Sequence, residues 1–411
     1  MTVAGVVLLW LAAACTLLAF SYRKAFADAW TEPVLRVPVL ILESDDWGYG
    51  PVEQAQRLDR IAEVLVHFRD SRGSNPVMTL GVVLAGPDTD RIRADECCNY
   101  HRLTLADPRL QPLRDAMLRG RERGVFALQL HGMEHYWPGC LMHAAAADEK
   151  IRHWVTQDRF ARTESLPSAL QSRWIDTTAL PSTPLPRNDV EAAATEEIQT
   201  FAAVFGSPPE VVVPPTFVWT EDVEAAWARG GIGIVVTPGR RNECRNAEGR
   251  IVEGRRTFCN GAKGPHGVSY IVRDCYLEPC LGVTHERTVE ALRLRTKAGR
   301  PALVEIHRMN FIGDESTMAH AIEEMKRLLE TACALFPTLR FMSTTALARH
   351  FRERSALIER RTGARVHFMI RRLSSISRLR KLAWVTGAIL PASLAYVITR
   401  PRPIEGTESI A

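Results

Sequence analysis

Between residues 35 and 355 the chain alternates short apolar runs with stretches whose apolar residues recur every three or four positions. The second pattern is typical of helices that bury one face, and it predicts a helix over Gln54–Phe68, for example. The apolar runs predict seven β-strands, over residues 39–44, 78–85, 126–131, 210–215, 233–238, 302–307 and 339–344. Strands that alternate with helices of this length predict a parallel sheet, and seven such units predict an α/β barrel that is closed or nearly closed.

The helices predicted between the later strands follow the same order along the chain. One ends near Gly124, and the others cover Val190–Phe205, Asp222–Arg229, Arg287–Lys297 and Met318–Leu335. The segment Arg240–Pro265 is rich in Gly, Arg and Asn, which predicts a long excursion. The chain has no Gly-rich phosphate loop of Rossmann or Walker type, which argues against nucleotide-driven chemistry.

Both ends of the chain carry apolar segments. The run from Val3 to Phe20 contains no charged residue and is followed by Arg23 and Lys24. Its length suits a membrane span. A cleaved signal peptide is the rival interpretation, although the basic residues that usually precede such a run are missing.

The second apolar segment, from Leu382 to Thr399, follows a basic stretch. It suits a membrane span, a helix at an interface of anionic lipids, or an ordinary helix packed on the domain. The excess of Lys and Arg beside both segments predicts association with a bacterial inner membrane, with the central domain on the cytoplasmic side. We therefore predict three parts: residues 1–30 as an anchor or uncleaved signal, 35–355 as the barrel, and 356–411 as a basic segment with a membrane-associated run.

The composition is that of an ordinary globular protein, with 46% hydrophobic and 24% charged residues. The net charge of +5 is small for 411 residues. No basic run with interleaved aromatic residues appears in the central region, which argues against nucleic-acid binding. The nine cysteines contain no CxxC pair, so a structural zinc knuckle is not expected. Eight of them fit either reduced, buried thiols or disulfides.

Residues suited to metal binding or proton transfer stand at the carboxyl ends of the predicted strands. Asp45 and Asp46 follow the first strand, and His131 ends the third, with His135 four residues further on. His307 ends the sixth strand. In parallel barrels, active sites assemble at that end of the strands.

Each of these features alone has an ordinary structural explanation. Adjacent aspartates after a strand are typical of turns and helix caps, and a lone histidine is typical of a packed core residue. Two histidines at i and i+4 can chelate one cation if their segment is helical. Together on one barrel, these residues predict a site with one carboxylate and two imidazoles, which leaves open positions on a metal for water and substrate.

Four segments resemble, in the same order, the motifs of NodB-type polysaccharide deacetylases (carbohydrate esterase family 4). They are SDDWG at 44–48, HGMEH at 131–135, VVPPTFVW at 212–219 and EIH at 305–307. ESDDWG, VRDCYLEP and HRMNFIG are more similar to an uncharacterised polysaccharide deacetylase-like branch. The resemblance covers roughly residues 37–350. It implies a distorted (β/α)7 barrel of the glycoside hydrolase/deacetylase type and a divalent metal, for which we expect Zn2+.

The resemblance also implies the roles of the site residues. Asp46, His131 and His135 correspond to the metal ligands, Asp45 to the catalytic base and His307 to the general acid. These roles suit amide hydrolysis, which needs an activated water and a protonated leaving amine. We further expect substrate contacts from six residues: Trp47, Pro215, Trp219, Arg273, Arg308 and Asn310.

The chain departs from the family pattern at two places. The family usually has an arginine just before the third-motif proline, which orients the base, and Val213 stands there instead. The fourth motif, which supplies an acidic pair and a tryptophan, has no match. Arg273 or Arg240 could supply the missing positive charge, and Asp274 or Glu278 the missing acid.

We therefore expect a metal-dependent carbohydrate N-deacetylase that removes an acetyl or related acyl group from an amino sugar. Its expected partners are a polysaccharide or lipid-linked glycan and membrane lipids. One alternative is a non-catalytic carbohydrate-binding relative of the same fold. Another is a glycoside hydrolase on a similar barrel, which needs a second carboxylate about 5–9 Å from the first. Glu305 and Asp274 are the candidates for that carboxylate.

Overall fold

The computed structural model describes residues 2–157 and 160–401. The strands are β1 (Val39–Gly48), β2 (Met78–Val83), β3 (Ala85–Pro87), β4 (Arg102–Thr104), β5 (Phe126–Leu130), β6 (Ile175–Asp176), β7 (Thr183–Pro184), β8 (Val211–Val212), β9 (Ile234–Thr237), β10 (Ser269–Val272), β11 (Cys275–Tyr276), β12 (Ala302–Glu305) and β13 (Arg340–Phe341). Residues 402–411, which close the predicted C-terminal part, lie outside the described residues.

The helices flank and connect these strands. They are α1 (Val3–Ser21), α2 (Arg23–Thr31), α3 (Gln54–Leu65), α4 (Thr89–Ala94), α5 (Gln111–Glu122), α6 (Pro138–Ala147), α7 (Glu149–Thr156), α8 (Arg187–Phe205), α9 (Glu221–Arg229), α10 (His285–Lys297), α11 (Glu315–Leu335), α12 (Thr344–Glu353), α13 (Thr362–Ser374), α14 (Ser377–Val385) and α15 (Ile389–Ile398).

The seven predicted strands are confirmed as β1, β2, β5, β8, β9, β12 and β13. The main sheet also contains β10 and β11, which the apolar pattern did not predict. Polar residues interrupt the apolar pattern here: Ser269 begins β10, and Arg273 and Asp274 separate it from β11. The predicted helices are confirmed, with ends shifted by a few residues.

The main sheet is parallel and curls until its two edges are joined by one stretch of chain. Its order is β10-β9-β8-β5-β2-β1-β12-β11, and β13 pairs with the start of β1. β10 and β11 lie at opposite ends of this order, yet only Arg273 and Asp274 separate them in sequence. The same stretch therefore pairs with β9 through its first part and with β12 through its second. This confirms the predicted distorted barrel.

Alternation along the strands separates two apolar layers. Leu40 and Leu42 of β1 belong to a cluster that includes the buried faces of the surrounding helices. Val39 and Ile41 belong to a second cluster built from the strands themselves and closed by α12. Because successive side chains of a strand point to opposite faces, the second cluster fills the barrel interior.

The inner face changes from apolar to charged toward the carboxyl ends of the strands. The charged residues stand two positions beyond the inner apolar layer: Glu43 after Ile41, Arg273 after Ile271, and Glu305 after Leu303. All three charged side chains are buried. The barrel thus places a layer of buried charge directly above its apolar layer.

The two ends of the chain meet beside the barrel. The buried Arg372 of α13 donates to the carbonyl oxygens of Glu32 at 2.8 Å, Pro33 at 2.9 Å and Ala298 at 2.9 Å. Glu32 and Pro33 follow α2, and Ala298 precedes β12. One guanidinium therefore ties the C-terminal helices to α2 and to the base of the barrel.

Among the described helices, α1 is long and apolar enough to cross a membrane by itself. The predicted run Leu382–Thr399 is not one continuous helix. It is divided between α14 and α15, whose axes differ by 110° across a short break. Gly387 in this break has a φ of +76°, which L-residues with side chains rarely adopt.

We predict that Leu303→Ala destabilises the protein by about 2–5 kcal/mol, because it leaves a cavity in the closed interior. Leu303 is 0% exposed within the inner apolar layer. Urea unfolding in mild detergent measures the change. Leu294→Ala is the matched control, because Leu294 is 51% exposed and its loss is expected to stay within about 0.5 kcal/mol. Equal effects of the two substitutions would contradict the interior placement of Leu303.

Candidate metal centre and proton-transfer residues

An irregularity in β1 directs two adjacent aspartates into one site. The pairing of β1 with β2 shifts register between Ser44 and Trp47, and Asp46 has a φ of +70°. In a regular strand, Asp45 and Asp46 would point to opposite faces, but such a bulge re-aims the side chains. Gly81 on β2 leaves room for Asp45, since a Cβ there would lie 2.4 Å from Asp45 Oδ1.

Asp46, His131 and His135 converge in a buried cluster. Asp46 Oδ1 lies 3.3 Å from His131 Nε2 and 3.5 Å from His135 Nε2. The segment 131–135 is not helical, so the helical condition attached to the i, i+4 spacing was wrong. A turn with Gly132 at a φ of +96° brings the two imidazoles together instead, with their ring centres 5.0 Å apart.

The hydrogen bonds of this cluster fit a bound cation. His131 Nδ1 lies 2.7 Å from the carbonyl oxygen of Val213, which can only accept, so Nδ1 carries a proton. In the neutral ring, Nε2 then directs a lone pair at Asp46 Oδ1, which is buried and accepts no hydrogen bond. Two acceptors facing each other repel unless a positive charge lies between them. Two imidazole nitrogens and one carboxylate oxygen therefore suit a zinc-class ion.

The pKa values of the cluster agree with this interpretation. Burial raises the pKa of Asp46, but the neighbouring imidazoles of His131 and His135 outweigh it and hold that pKa well below its usual range. Burial lowers the pKa of His135 to about 4, so its ring is neutral near pH 7. Burial also lowers the pKa of His131, yet Asp45 and Asp46 raise it overall. A divalent ion bound here would take the place of such a proton.

A buried ion-pair network holds the HGMEH loop. Glu134, the fourth residue of the motif, accepts from Arg173 at 2.5 Å and also from Arg102. Arg173 in turn donates to Glu197 at 3.1 Å, and Glu197 accepts the backbone N–H of Met133 at 3.0 Å. Met133 and Glu134 are thereby held in place, and this orients the imidazoles of His131 and His135 on either side of them.

Arg273 lies among three carboxylates at the charged layer of the barrel. Its guanidinium is 2.5 Å from Asp45 Oδ2, 3.1 Å from Glu43 and 3.0 Å from Glu305. Burial raises the pKa of Asp45, but the charge of Arg273 outweighs it, so the pKa of Asp45 is lowered. Burial raises the pKa of Glu43 and of Glu305. Of these three carboxyl groups, Asp45 is therefore the one whose pKa is lowered.

His307 is paired with Glu278. His307 Nδ1 lies 2.7 Å from Glu278 Oε1, and Glu278 Oε2 accepts from Asn310 at 2.5 Å. The other ring nitrogen, Nε2, lies 3.3 Å from Glu305 Oε1. Burial lowers the pKa of His307, but Glu278, Asp46 and Glu305 outweigh it and raise that pKa to about 10.

Two of the four residues considered for the missing motif functions lie at the site. Arg273 contacts Asp45, and Glu278 contacts His307. Arg240 instead pairs with the exposed Glu253. Asp274 points away from Arg273, as neighbours in an extended strand do, and pairs with Arg295 at 2.7 Å.

The six residues expected to contact the substrate differ in their contacts and in their burial. Arg273 and Asn310 contact the site residues, as described above. Arg308 is buried and donates to Glu164 at 2.7 and 3.0 Å. Pro215 is buried beside Gly132. Trp47 and Trp219 have 0% exposure and donate their indole N–H groups to Ser44 and Glu224, so neither presents a surface to a ligand in this conformation.

Several residues of the site were not assigned from the sequence. Glu43 contacts Arg273. Glu134, Arg173 and Glu197 form the ion-pair network that holds the HGMEH loop. The signal that could have revealed Glu43 was its place two residues beyond Ile41 on an inner face. Arg173 and Glu197 lie in distant segments and carry no comparable pattern.

No sequence-family description matches the chain, and no curated protein matches it in sequence. Among solved structures, it is similar to a 4-alpha-glucanotransferase of Thermococcus litoralis (8% identity, TM-score 0.40), with 88% of this chain covering 48% of that one. It is similar to a protein of Parabacteroides distasonis described as a glycoside hydrolase/deacetylase (10% identity, TM-score 0.44, covering 79% of this chain and 73% of that one). It is also similar to the peptidoglycan deacetylase PdaC of Bacillus subtilis (12% identity, TM-score 0.36, covering 77% and 93%). At TM-scores below 0.5 these similarities carry no functional assignment, and the function proposed below depends on the site itself.

We predict that Glu134→Gln lowers the affinity for zinc about 10- to 100-fold, because it weakens the network that orients the two imidazoles. Competition with a fluorescent zinc chelator measures this affinity. Glu196→Gln is the matched control, since Glu196 pairs with the same Arg102 but is exposed. An unchanged affinity in Glu134→Gln would show that the loop does not depend on this network.

Proposed function

We propose that the chain is a metal-dependent hydrolase that removes an N-acetyl or related acyl group from an amino sugar of a polysaccharide or lipid-linked glycan. The observation that carries this proposal is the geometry of Asp46, His131 and His135. These residues are buried, and their possible ligand atoms all lie within 4.8 Å of one another. The order of the motifs along the chain supports the deacetylase class. The acetyl group and the sugar are part of the proposal and follow from the motif resemblance.

Asp46, His131 and His135 would hold a divalent ion, for which we propose zinc. When bound, such an ion polarises the scissile carbonyl and lowers the pKa of a water molecule. Val213 contributes through its carbonyl oxygen, which holds the Nδ1–H of His131 and leaves Nε2 free as a ligand.

Asp45 and His307 would move the protons of the reaction. Arg273 holds one oxygen of Asp45, and the other, Oδ1, is buried without a hydrogen-bond partner, so it can accept a proton from the attacking water. Glu278 holds His307 Nδ1, which leaves Nε2 to donate a proton to the leaving nitrogen. The water oxygen bonds to the acyl carbon as the C–N bond breaks, and a carboxylic acid and a free amine result.

Two contacts favour an active enzyme over a non-catalytic relative. Arg273 supplies the positive charge beside Asp45 that Val213 cannot provide, and Glu278 supplies an acid beside His307. A glycoside hydrolase would need two carboxylates on either side of a sugar. Asp45 and Glu305 instead bind the same guanidinium, and Asp274 points away, so we favour amide hydrolysis.

We also propose that residues 35–355 form the catalytic barrel and that residues 1–30 and 356–411 attach it to membrane lipids. The Lys and Arg residues beside both apolar segments support a cytoplasmic location at a bacterial inner membrane.

We expect the purified protein to bind about one zinc-class ion per chain and to release acetate from an N-acetylated glycan. Asp46→Ala should lose both properties, because it removes the carboxylate ligand. Asp274→Ala is the matched control and should keep both, since Asp274 pairs with Arg295 outside the site. Mass spectrometry measures the bound metal, and an acetate assay measures the activity. Stoichiometric metal in Asp46→Ala would overturn the assignment.

We predict that Glu278→Gln moves the alkaline limb of the kcat/KM profile to lower pH. His307 must be protonated to act as the acid, and Glu278 is the hydrogen-bond partner that raises the pKa of His307 to about 10. Without that carboxylate the proton is lost at lower pH, so activity falls earlier as pH rises. Glu286→Gln, at an exposed carboxylate, should leave the limb in place. A fall in activity at every pH without a shift would argue against His307 as the acid.

A further inference from the structure

The helices α14 and α15 expose an apolar surface. Six of their large apolar side chains are 62–85% exposed: Trp384, Val385, Leu390, Leu394, Val397 and Ile398. Helix α1 exposes a similar surface, on which Leu8 and Leu9 are 67% and 63% exposed. The three helices therefore form one apolar unit beside the barrel.

Helix α14 runs antiparallel to the second half of α1. Leu18 of α1 and Leu379 of α14 belong to the same buried cluster. Further along, the indole N–H of Trp10 donates to the carbonyl oxygen of Thr386 at 3.0 Å. As α14 proceeds from Leu379 toward Thr386, it thus follows α1 from residue 18 back to residue 10.

The break after α14 lies at the middle of α1. A Cβ on Gly387 would lie 3.2 Å from Leu11 Cδ2. From Ser21 to Leu11 the helix rises about 15 Å, at about 1.5 Å per residue. The hydrocarbon core of a bilayer is about 30 Å thick. If α1 crosses a bilayer, the break lies near mid-depth.

Helix α15 then returns toward the barrel. The ring of Tyr396 stacks on His367 of α13 with centres 3.9 Å apart, and His367 Nδ1 donates to the carbonyl oxygen of Tyr396 at 2.8 Å. α13 is the helix that Arg372 ties to the base of the barrel. The end of α15 therefore lies against α13, which is held at the side of the barrel.

Several polar groups of the break are paired within the protein. Thr386 Oγ1 donates to Leu382 O at 2.8 Å, and the N–H of Gly387 donates to Trp384 O at 3.2 Å. Trp10 donates to Thr386 O, as described above. Irregular backbone is tolerated at membrane depth when its polar groups are satisfied by protein.

Positive charge collects at the barrel-proximal level of this unit. Arg23 and Lys24 follow α1 directly, and Arg378, Arg380 and Lys381 stand in the first turns of α14. All five side chains are exposed. Lys and Arg at this level suit the phosphate groups of anionic lipids.

We propose that α14 and α15 form a re-entrant hairpin that inserts into an anionic bilayer beside the spanning helix α1, turns at Thr386–Ala388 near mid-depth and returns to the side of the barrel. The lipid bilayer is the partner of the exposed apolar surface. The barrel and Arg400 then lie on the same side of the membrane. This inference is independent of the proposed catalytic activity.

Protease accessibility of the full chain in sealed membrane vesicles tests the topology. One epitope tag precedes Thr2, a second lies at the exposed residues Ala247 and Glu248, and a third follows Ala411. We expect the second and third tags to be digested together, and the first only when the vesicles are opened. Digestion of the third tag together with the first would mean that the segment crosses the membrane, and would overturn the proposal.

Fluorescence quenching tests whether the hairpin is in contact with lipid. The signal of Trp384 is the difference between the full chain and Trp384→Phe, reconstituted in phosphatidylglycerol vesicles with brominated acyl chains. We expect strong quenching of this signal. The signal of Trp137, obtained in the same way from Trp137→Phe, reports on the barrel and should not be quenched. Equal, weak quenching of both signals would mean that protein, such as a second copy of the chain, covers the hairpin, and would overturn the proposal.

Discussion

The barrel depends on one buried guanidinium at the place where its two edges meet. Arg273 stands between the stretch that pairs with β9 and the stretch that pairs with β12, and its side chain contacts Glu43, Asp45 and Glu305. A buried arginine is costly unless carboxylates compensate it, and those carboxylates are equally costly without the arginine. The closure of the sheet and the assembly of the site are therefore the same event, because neither set of charges can be buried alone.

The charges above the apolar layer form two groups with different requirements. Around Arg273, three carboxyl groups share one cation. Burial raises the pKa of Glu43 and Glu305, whereas the charge of Arg273 lowers the pKa of Asp45. Around Asp46, two imidazoles and a carboxylate face each other without a fixed positive charge. The bulge in β1 divides the adjacent aspartates between these groups, so that Asp45 is held by protein and Asp46 is left to a ligand.

The parts of this arrangement that follow local patterns were predictable from the sequence. Apolar runs predicted seven of the strands in the main sheet, and polar residues at their ends pointed to Asp45, Asp46, His131, His135 and His307. The contacts that depend on folding were not predictable. The choice of Arg273 over Arg240 depends on the stretch of chain that closes the barrel between β10 and β11. The choice of Glu278 over Asp274 depends on how the chain runs on either side of β11. Glu134, Arg173 and Glu197 meet only because distant segments pack together.

In the hydrogen bond between His131 and Val213, the acceptor is the main-chain carbonyl oxygen of Val213. No side-chain replacement at position 213 removes a carbonyl oxygen, so the identity of that residue is not constrained by the tautomer of His131. Only a displacement of the backbone at this position would release the ring. The tautomer of the imidazole is in this way set by the path of the chain directly after β8, and a conservative substitution at position 213 would leave it unchanged.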